Sequence, residues 1–305
     1  MASELSDAAW RALACPGCGG ALVRSGAGAA CGACSARYAR SKSGALDLRL
    51  QQPKSVAHEF RLGVPLAVAP EEFRELPRNP SPQVDFGGRA APYHLTPELL
   101  SHFPRAKATG ELMLDLGCGS ALHREVCEAA GFEYLGLDHD AAGASVLGDA
   151  HALPFKDASF AFVLSIAVLE HLRFPAVALR EARRVMRPGA VFLGTVAFLE
   201  PFHADSYYHH THLGLRSGLE EAGFAVDYVC PAAGWSGLLP LAQMGLFPRM
   251  PAVMVKSLLL PLQLLHRVWW ALGRRFDPRA TEALRVLSTS GAFSFVARTP
   301  GRDER

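Results

Sequence analysis

Short apolar runs alternate with amphipathic stretches from residue 111 to the end of the chain. The run SFAFVLSIAV is apolar almost throughout, which is typical of a strand buried on both faces of a sheet. By contrast, FPAVALREARRVMRPG repeats its apolar residues at helical spacing and ends at Pro188-Gly189. The pattern predicts strands at residues 112–117, 132–138, 144–150, 159–168, 190–199, 225–230 and 291–298, and helices at 120–131, 174–189 and 215–224.

This strand–helix order predicts the fold class. A βαβα alternation favours an α/β fold built on a Rossmann-like, seven-stranded, doubly wound sheet. A further helix is expected to begin at Pro97, with Thr96 as its N-cap. Residues 231–290 are strongly apolar and predict a helical insertion between the sixth and seventh strands.

Four of the seven cysteines form two closely spaced pairs near the start of the chain. Cys15 and Cys18 make one Cys-x-x-Cys pair, and Cys31 and Cys34 make the other. Four thiolates give the tetrahedral sulfur shell that Zn²⁺ prefers, and a complete shell indicates structural rather than catalytic zinc. The predicted units are therefore a zinc ribbon at 1–50, a linker at 51–95 and an α/β domain at 96–305. A segment this short cannot bury enough core to fold alone, so metal binding is expected to supply its folding free energy.

Composition and charge narrow the functional class. The chain carries 31 Lys and Arg against 29 Asp and Glu, and its excess of bases lies at the two ends. The acidic centre does not indicate a nucleic-acid-binding face. The sequence has no signal-peptide pattern, and charged and proline residues interrupt the apolar stretch at 250–272. We predict a cytoplasmic protein, with peripheral contact to a membrane surface through residues 250–276 as an alternative.

The segment LMLDLGCGS predicts a nucleotide-binding turn, because glycines after a strand let a ligand approach the backbone. Leu122 stands where a dinucleotide fingerprint has its third glycine, and the GK[ST] of a phosphate-binding loop is absent from the turn. Asp138 ends the second predicted strand, 19 residues after Gly119, where a carboxylate can accept hydrogen bonds from a ribose diol. The turn alone leaves the nucleotide open.

The segments LDLGCGS, GDAHALPF, SFAFVLSIAVLEHL and EARRVMRPGAVFLGTV together resemble the class I S-adenosylmethionine (SAM)-dependent methyltransferases of the type 11 group. The N-terminal cysteine segment is similar to zinc ribbons fused ahead of such enzymes, including rRNA guanine-N1 methyltransferases. The resemblance implies that Gly117 and Gly119 approach the methionine part of SAM, and that Asp115 orients that loop or meets the methionine ammonium. It also implies that Asp138 holds the ribose, that Asp149 and the Ala150 amide bind adenine, and that Ser165 lies under the cofactor.

Residues after the fifth predicted strand border the acceptor pocket in this family. His203, Tyr207 and His209 lie there and are candidate general bases, as is His171 just after the fourth strand. Methyl transfer from a sulfonium depends mostly on proximity and alignment, so a base is not strictly required. Several histidines occur together here, but their spacing does not match a usual metal site.

The function predicted from the sequence is methyl transfer from SAM to a small apolar, natural-product or lipid-like acceptor. The acceptor atom stays open between oxygen, nitrogen and carbon, as does the oligomeric state. One alternative is an rRNA or tRNA base methyltransferase that contacts RNA through the ribbon. Another is a non-catalytic SAM-binding adaptor. The apolar insertion is predicted to be a lid over the acceptor, a dimer face, a helix in the membrane interface, or simple core packing.

Overall fold

The computed structural model describes residues 5–57, 59, 63, 74–201 and 205–301, so much of the predicted linker lies outside the described residues. The strands are β1 Leu22–Ser25, β2 Gly28–Cys31, β3 Arg37–Tyr38, β4 Leu46–Asp47, β5 Leu112–Leu116, β6 Glu133–Asp138, β7 Val146–Leu147, β8 Phe160–Ile166, β9 Met186–Ala197, β10 Ala225–Pro231 and β11 Ala292–Arg298. The helices are α1 Asp7–Ala12, α2 Pro97–Ser101, α3 Arg124–Ala129, α4 Pro175–Val185, α5 His212–Glu221, α6 Leu238–Pro240, α7 Ala252–Gly273 and α8 Glu282–Ser288. A 3₁₀ turn spans Leu169–His171, and a π-helical turn spans Leu241–Leu246.

The central sheet confirms the predicted α/β fold. Its order is β10-β11-β9-β8-β5-β6-β7-β4. All neighbours are parallel except β11, which runs antiparallel to both β9 and β10. The carboxyl ends of β5, β6, β8 and β9 therefore lie along one edge of the sheet, which is where ligands bind in doubly wound folds.

The described part of the sheet has eight strands, one more than the seven expected. The additional strand is β4, which comes from the segment predicted to be the ribbon and pairs in parallel with β7. The Leu48 amide donates to the Leu147 carbonyl at 2.7 Å. Without β4, the short strand β7 would lie at the sheet edge with unpaired backbone amides and carbonyls. Pairing with β4 gives these groups hydrogen-bond partners.

Several predicted element boundaries differ from the structure. The helix expected at 215–224 spans His212–Glu221, and the strand expected at 144–150 spans only Val146–Leu147. The helix expected at 174–189 ends at Val185, and β9 continues through Pro188-Gly189. The reason is Thr299, whose carbonyl accepts from the Gly189 amide at 3.1 Å and whose hydroxyl accepts from the Ala190 amide at 2.9 Å. The helix expected at 120–131 begins only at Arg124, because the residues before it form the glycine turn. Helix α2 does begin at Pro97, and the Thr96 hydroxyl caps the Leu99 amide at 3.3 Å.

The cysteine-rich segment packs directly on the sheet domain. Its side chains belong to the same buried cluster as those of β5, β8 and α4. The Ala14 amide donates to the Pro154 carbonyl at 2.9 Å, and the Lys156 amide donates to the Ala12 carbonyl at 2.8 Å. On the other side of the contact, Arg184 binds the carbonyls of Leu153 and Phe155. Residues 153–157 are thus held between the ribbon and α4.

The predicted insertion is helical. It contains α6, the π-helical turn, α7 and α8, and it joins β10 to β11. Within α7, which is described along its whole length, only Val255 and Leu259 are buried. Trp269 is 71% exposed, so its indole is not the buried contact that a lid over an apolar acceptor would require.

Candidate functional site

The glycine turn after β5 has a conformation that requires glycine. Gly117 and Gly119 have φ values of +73° and +51°, in the left-handed region. A Cβ added to Gly117 would lie 2.4 Å from a methyl carbon of Val168, whereas one added to Gly119 would meet nothing within 4 Å. Gly117 therefore satisfies both a backbone and a packing constraint.

This difference predicts unequal effects of two similar substitutions. Gly119→Ala should cost about 1–2 kcal/mol through left-handed strain. Gly117→Ala should cost about 1–3 kcal/mol more, because its methyl group also overpacks against Val168. Chemical denaturation of the two variants measures the difference, and equal stabilities would contradict the steric account.

Asp138 closes the turn with its carboxylate. Its Oδ2 accepts from the Gly119 amide at 2.9 Å, and its Oδ1 accepts from the amides of Asp140 and Ala141, both at 3.3 Å. Oδ1 therefore uses both of its lone pairs, whereas Oδ2 accepts one bond and keeps a second lone pair for a ligand. The carboxylate thus shapes the turn and also lines the cavity beside it.

Asp149 follows β7 and is oriented by His151. Its Oδ1 accepts from the His151 amide at 2.9 Å and from Nδ1 of the ring at 2.6 Å. The Phe174 amide donates to Nε2 at 3.1 Å, so that nitrogen is unprotonated and the ring proton lies on Nδ1. The hydrogen bond from His151 lowers the pKa of Asp149, against the effect of burial. Asp149 is therefore an ionised acceptor at neutral pH.

These elements surround a cavity of about 510 Å³ at the carboxyl edge of the sheet. Its volume is within the range of sites for small molecules and cofactors. Of the seven residues predicted from the sequence to bind the cofactor, four line this cavity. The predicted residues that line this cavity are Gly117, Asp138, Asp149, Ala150, His171 and Tyr207.

Asp115 and Ser165 lie beneath the cavity rather than on its wall. Asp115 is 1% exposed, and its Oδ2 accepts from the Tyr134 hydroxyl at 2.7 Å and lies 3.5 Å from Nδ1 of His123. Its Oδ1 and the Ser165 hydroxyl are buried with no hydrogen-bond partner among the described residues. Buried polar atoms are usually paired, so both positions suit a ligand or an ordered water.

His209 does not line this cavity. His209 is exposed. His203 lies outside the described residues.

The comparisons with known proteins identify the sheet domain. A family model described as a methyltransferase domain matches residues 114–194, from β5 through most of β9. This segment is a methyltransferase domain. The chain is 29% identical over 157 residues to a "probable S-adenosylmethionine-dependent methyltransferase" of Mycolicibacterium smegmatis, which covers 44% of this chain and 60% of that protein. It is 33% identical over 138 residues to an uncharacterized methyltransferase of Mycobacterium leprae, covering 41% and 49%.

The chain thus spans about half the length of these curated relatives. Among solved structures, it is similar to a complex between the Haloferax volcanii Trm112 methyltransferase activator and a methyltransferase. That similarity has 20% identity and a TM-score of 0.46, and it covers 68% of this chain and 90% of the matched one.

A second, smaller cavity adjoins the first one in the methyltransferase domain. The two share Ala167, just past β8. The second cavity measures about 30 Å³, which is room for a functional group rather than a whole molecule. We call it the acceptor chamber, for the role that we propose for it. Its polar lining includes His94, Thr96, Glu170, Thr195, Glu200 and Trp235, and the rest of its lining is alanine and valine.

Two buried glutamates in the acceptor chamber were missed from the sequence. Glu170 is fully buried, and its Oε1 accepts from the Ala197 amide at 3.0 Å. Glu200 is 4% exposed and accepts from the Trp235 indole nitrogen. Their position in the sequence could have identified them, since each follows the carboxyl end of a buried parallel strand, β8 or β9. Trp235 and His94 gave no such signal, because the fold brings them from the insertion and from before α2.

The described part of the loop before α5 bonds to Glu170 and reaches the larger cavity at Tyr207. The amides of Tyr207 and Tyr208 donate to the Glu170 carbonyl at 2.7 and 3.1 Å. The Tyr208 hydroxyl donates to the Arg173 carbonyl at 3.0 Å. Burial lowers the pKa of His210 in this loop, so its imidazole is neutral near pH 7. The loop therefore carries Tyr207 to the rim of the larger cavity and fixes the backbone of Glu170.

A third cavity, of about 260 Å³, lies on the other side of Trp235 from the acceptor chamber. It shares Ala232 and Trp235 with the chamber, and α7 contributes Gln263, His266 and Arg267 to its wall. The insertion therefore borders a space that shares two wall residues with the chamber.

The four predicted cysteines come together as one group. The sulfurs of Cys15 and Cys34 are 3.7 Å apart, those of Cys18 and Cys31 are 3.5 Å apart, and all four lie within 4.8 Å of one another. Tetrahedral Zn²⁺ with bonds of about 2.3 Å places its sulfurs about 3.8 Å apart. Backbone amides also donate to Cys18 and Cys31, both at 3.4 Å. Such bonds are the outer contacts that orient metal ligands, so this group could hold one Zn²⁺ ion.

Proposed function

We propose that this protein transfers a methyl group from SAM to a small, largely apolar acceptor that presents a hydroxyl or amine group. The observation that carries this proposal is the contact between the two cavities at Ala167. One cavity is lined by carboxylates suited to a cationic, amine-rich cofactor. The other is narrow, mostly apolar and lined by two buried glutamates. A methyl group can pass directly between ligands held in two such adjoining spaces.

The larger cavity offers groups for each part of SAM. Asp138 would accept from the ribose hydroxyls, and Asp149 would accept from the adenine amino group, with the Ala150 amide beside it. Gly117 leaves room for the methionine part to approach the backbone. The buried Oδ1 of Asp115 would orient the turn or meet the methionine ammonium. Gly119 would leave the backbone accessible as Gly117 does, and Ser165 would lie under the cofactor.

The acceptor chamber offers a proton acceptor. The acceptor's oxygen or nitrogen forms a bond to the methyl carbon as the bond to sulfur breaks, and the sulfur keeps the electron pair. The acceptor must also release its proton, and the Glu170 carboxylate lines the space where that proton is released. His171 and Tyr207 on the neighbouring cavity wall are alternative bases for a larger acceptor, and His203 and His209 stay as sequence-based candidates.

The cysteine group is proposed to hold one structural Zn²⁺. The four sulfurs complete the coordination shell, so the ion has no open position for substrate. Its role would be to supply folding free energy to a segment that is too short to bury a core of its own.

A labelled-methyl experiment tests the proposed acceptor class. The protein is incubated with SAM carrying a labelled methyl group and with extract of its host, and the products are separated into solvent-extractable molecules, RNA and protein. Label in solvent-extractable molecules is expected. Label in RNA would instead favour an RNA base methyltransferase. SAM binding without label transfer to any fraction would indicate a SAM-binding adaptor.

Substitution of Asp138 tests the cofactor site. Asp138→Ala should weaken SAM binding by about 1.5–3 kcal/mol, the cost of losing hydrogen bonds to a charged group. Asp138→Asn retains an acceptor for the Gly119 amide and should have a smaller effect. Asp140→Ala, two residues away on the exposed loop, is the matched control and should leave affinity unchanged. Calorimetric titration with SAM measures all three, and wild-type affinity in Asp138→Ala would exclude this site.

A further inference from the structure

Helix α7 exposes apolar side chains over most of its surface. Soluble proteins rarely leave a continuous apolar patch of this kind without a partner or a surface to bind. Phe276, just beyond the helix, is 88% exposed. The exposed large apolar residues of α7 are Val253, Met254, Leu258, Leu260, Leu262, Leu264, Leu265, Val268, Trp269 and Leu272, each at least 44% exposed.

The helix has three distinct sides. The inward side is formed by positions 255, 259, 263, 266 and 270, which are buried or half-buried and recur at helical spacing. Lys256, Arg267 and Arg274 are separated by 11 and 7 residues, or about three and two turns, so they share one flank. The exposed apolar residues occupy the remaining arc. A basic line beside a broad apolar arc is the pattern of a helix that lies in a membrane interface.

The charge of this region has one sign. No Asp or Glu occurs between Asp227 and Asp277. In the same interval Arg249, Lys256, Arg267, Arg274 and Arg275 are all exposed. Arg274 lies 3.4 Å from Glu282 of α8, so part of its charge is balanced there. The surface as a whole is apolar and basic, which complements an anionic lipid headgroup layer.

The large aromatic side chains lie at the same end of α7 as two of these bases. Trp269 is 71% exposed, and Phe276 follows Arg274 and Arg275 directly. Tryptophan is favoured where apolar lipid meets the polar headgroups. In the part of the chain that the structure describes, no helix meets the length and hydropathy needed to cross a membrane. The features of α7 therefore favour a helix parallel to the surface.

We propose that α7 docks this protein on an anionic lipid surface, with the helix in the membrane plane and its basic flank against the headgroups. A second copy of the chain fits this face less well. Two α7 helices packed through it would bring two sets of bases together with no acidic residue in the segment to neutralise them. The inference does not depend on methyl transfer, since binding to lipid requires neither SAM nor an acceptor.

Vesicle co-sedimentation of the full-length protein tests the proposal. Vesicles of phosphatidylcholine alone are compared with vesicles that also contain phosphatidylserine, at low and high salt. We expect strong binding only to the anionic vesicles, weakened at high salt. The Trp269→Ser/Phe276→Ser variant and the Arg274→Glu/Arg275→Glu variant should each bind at least tenfold more weakly.

Matched variants elsewhere on the surface serve as controls. Val23→Ser, at an exposed apolar position of β1, and Lys42→Glu should bind vesicles like the wild type. All variants should keep wild-type affinity for SAM, which separates this proposal from the proposed function. Unchanged vesicle binding in both α7 variants would overturn the proposal. So would sedimentation of the lipid-free protein as a dimer that Trp269→Ser/Phe276→Ser converts to monomer.

Discussion

Replacing Glu170 with glutamine should lower the turnover number by about 10²–10⁴-fold, the usual contribution of a positioned general base. Glutamine has the same shape, and its oxygen can still accept from the Ala197 amide as Glu170 does at 3.0 Å. The substitution therefore removes the proton acceptor and leaves the hydrogen bond that holds β9. Because Glu170 lines the acceptor chamber and not the cofactor cavity, SAM affinity should stay within about twofold of wild type.

Glu200→Gln is the comparison for this substitution. Glu200 lines the same chamber, and a glutamine oxygen there can still accept from the Trp235 indole nitrogen. If Glu170 removes the proton, this substitution should affect turnover less than Glu170→Gln. Turnover is measured with the acceptor found in the labelling experiment, and SAM binding is measured by calorimetry. Full activity in Glu170→Gln would assign proton removal to His171 or Tyr207, or show that solvent suffices.

Replacing Cys31 with serine should destabilise the whole protein and weaken its binding of SAM. A four-sulfur shell with one ligand lost binds zinc poorly, and metal binding is coupled to folding in such segments. Loss of a few kcal/mol should lower the melting temperature by roughly 10 °C in a chain of this size. The ribbon also holds residues 153–157 through the Ala14 and Lys156 backbone bonds, and it supplies β4 to the sheet edge. Asp149 lies between these two contacts.

The size of the effect on SAM distinguishes a docked ribbon from an independent one. We expect affinity for SAM to fall about tenfold, or about 1.4 kcal/mol, because β7 and the segment after it lose their support. Val23→Ser changes the exposed surface of the ribbon without touching the sulfurs and should leave both zinc content and SAM affinity unchanged. Metal analysis, thermal unfolding and calorimetry give the three readouts. Zinc loss with unaltered SAM affinity would show that the ribbon does not support the cofactor site.

The sequence by itself determined the features that depend on local spacing. The βαβα alternation predicted the α/β sheet, since periods of about two and 3.6 residues distinguish strands from helices over long segments. Paired Cys-x-x-Cys spacing predicted that four sulfurs form one group, because each pair converges within one turn. The LDLGCGS turn and Asp138 predicted a ligand cavity, and the structure places Gly117, Asp138, Asp149 and Ala150 around one. These features each lie within one element or at a strand end.

Only the tertiary structure decided which distant segments meet. Glu170, Glu200 and Trp235 form the acceptor chamber although they come from the ends of two strands and from the insertion, and no spacing rule links them. The ribbon docks on residues 153–157, and its strand β4 adds an eighth strand to the sheet. Both contacts depend on which edge of the sheet was left unpaired. The exposure of α7 could likewise not be predicted from the sequence, because an apolar helix has the same sequence pattern whether it is packed in a core or faces outward. Several tertiary arrangements are compatible with the same local sequence patterns, and long-range packing selects one of them.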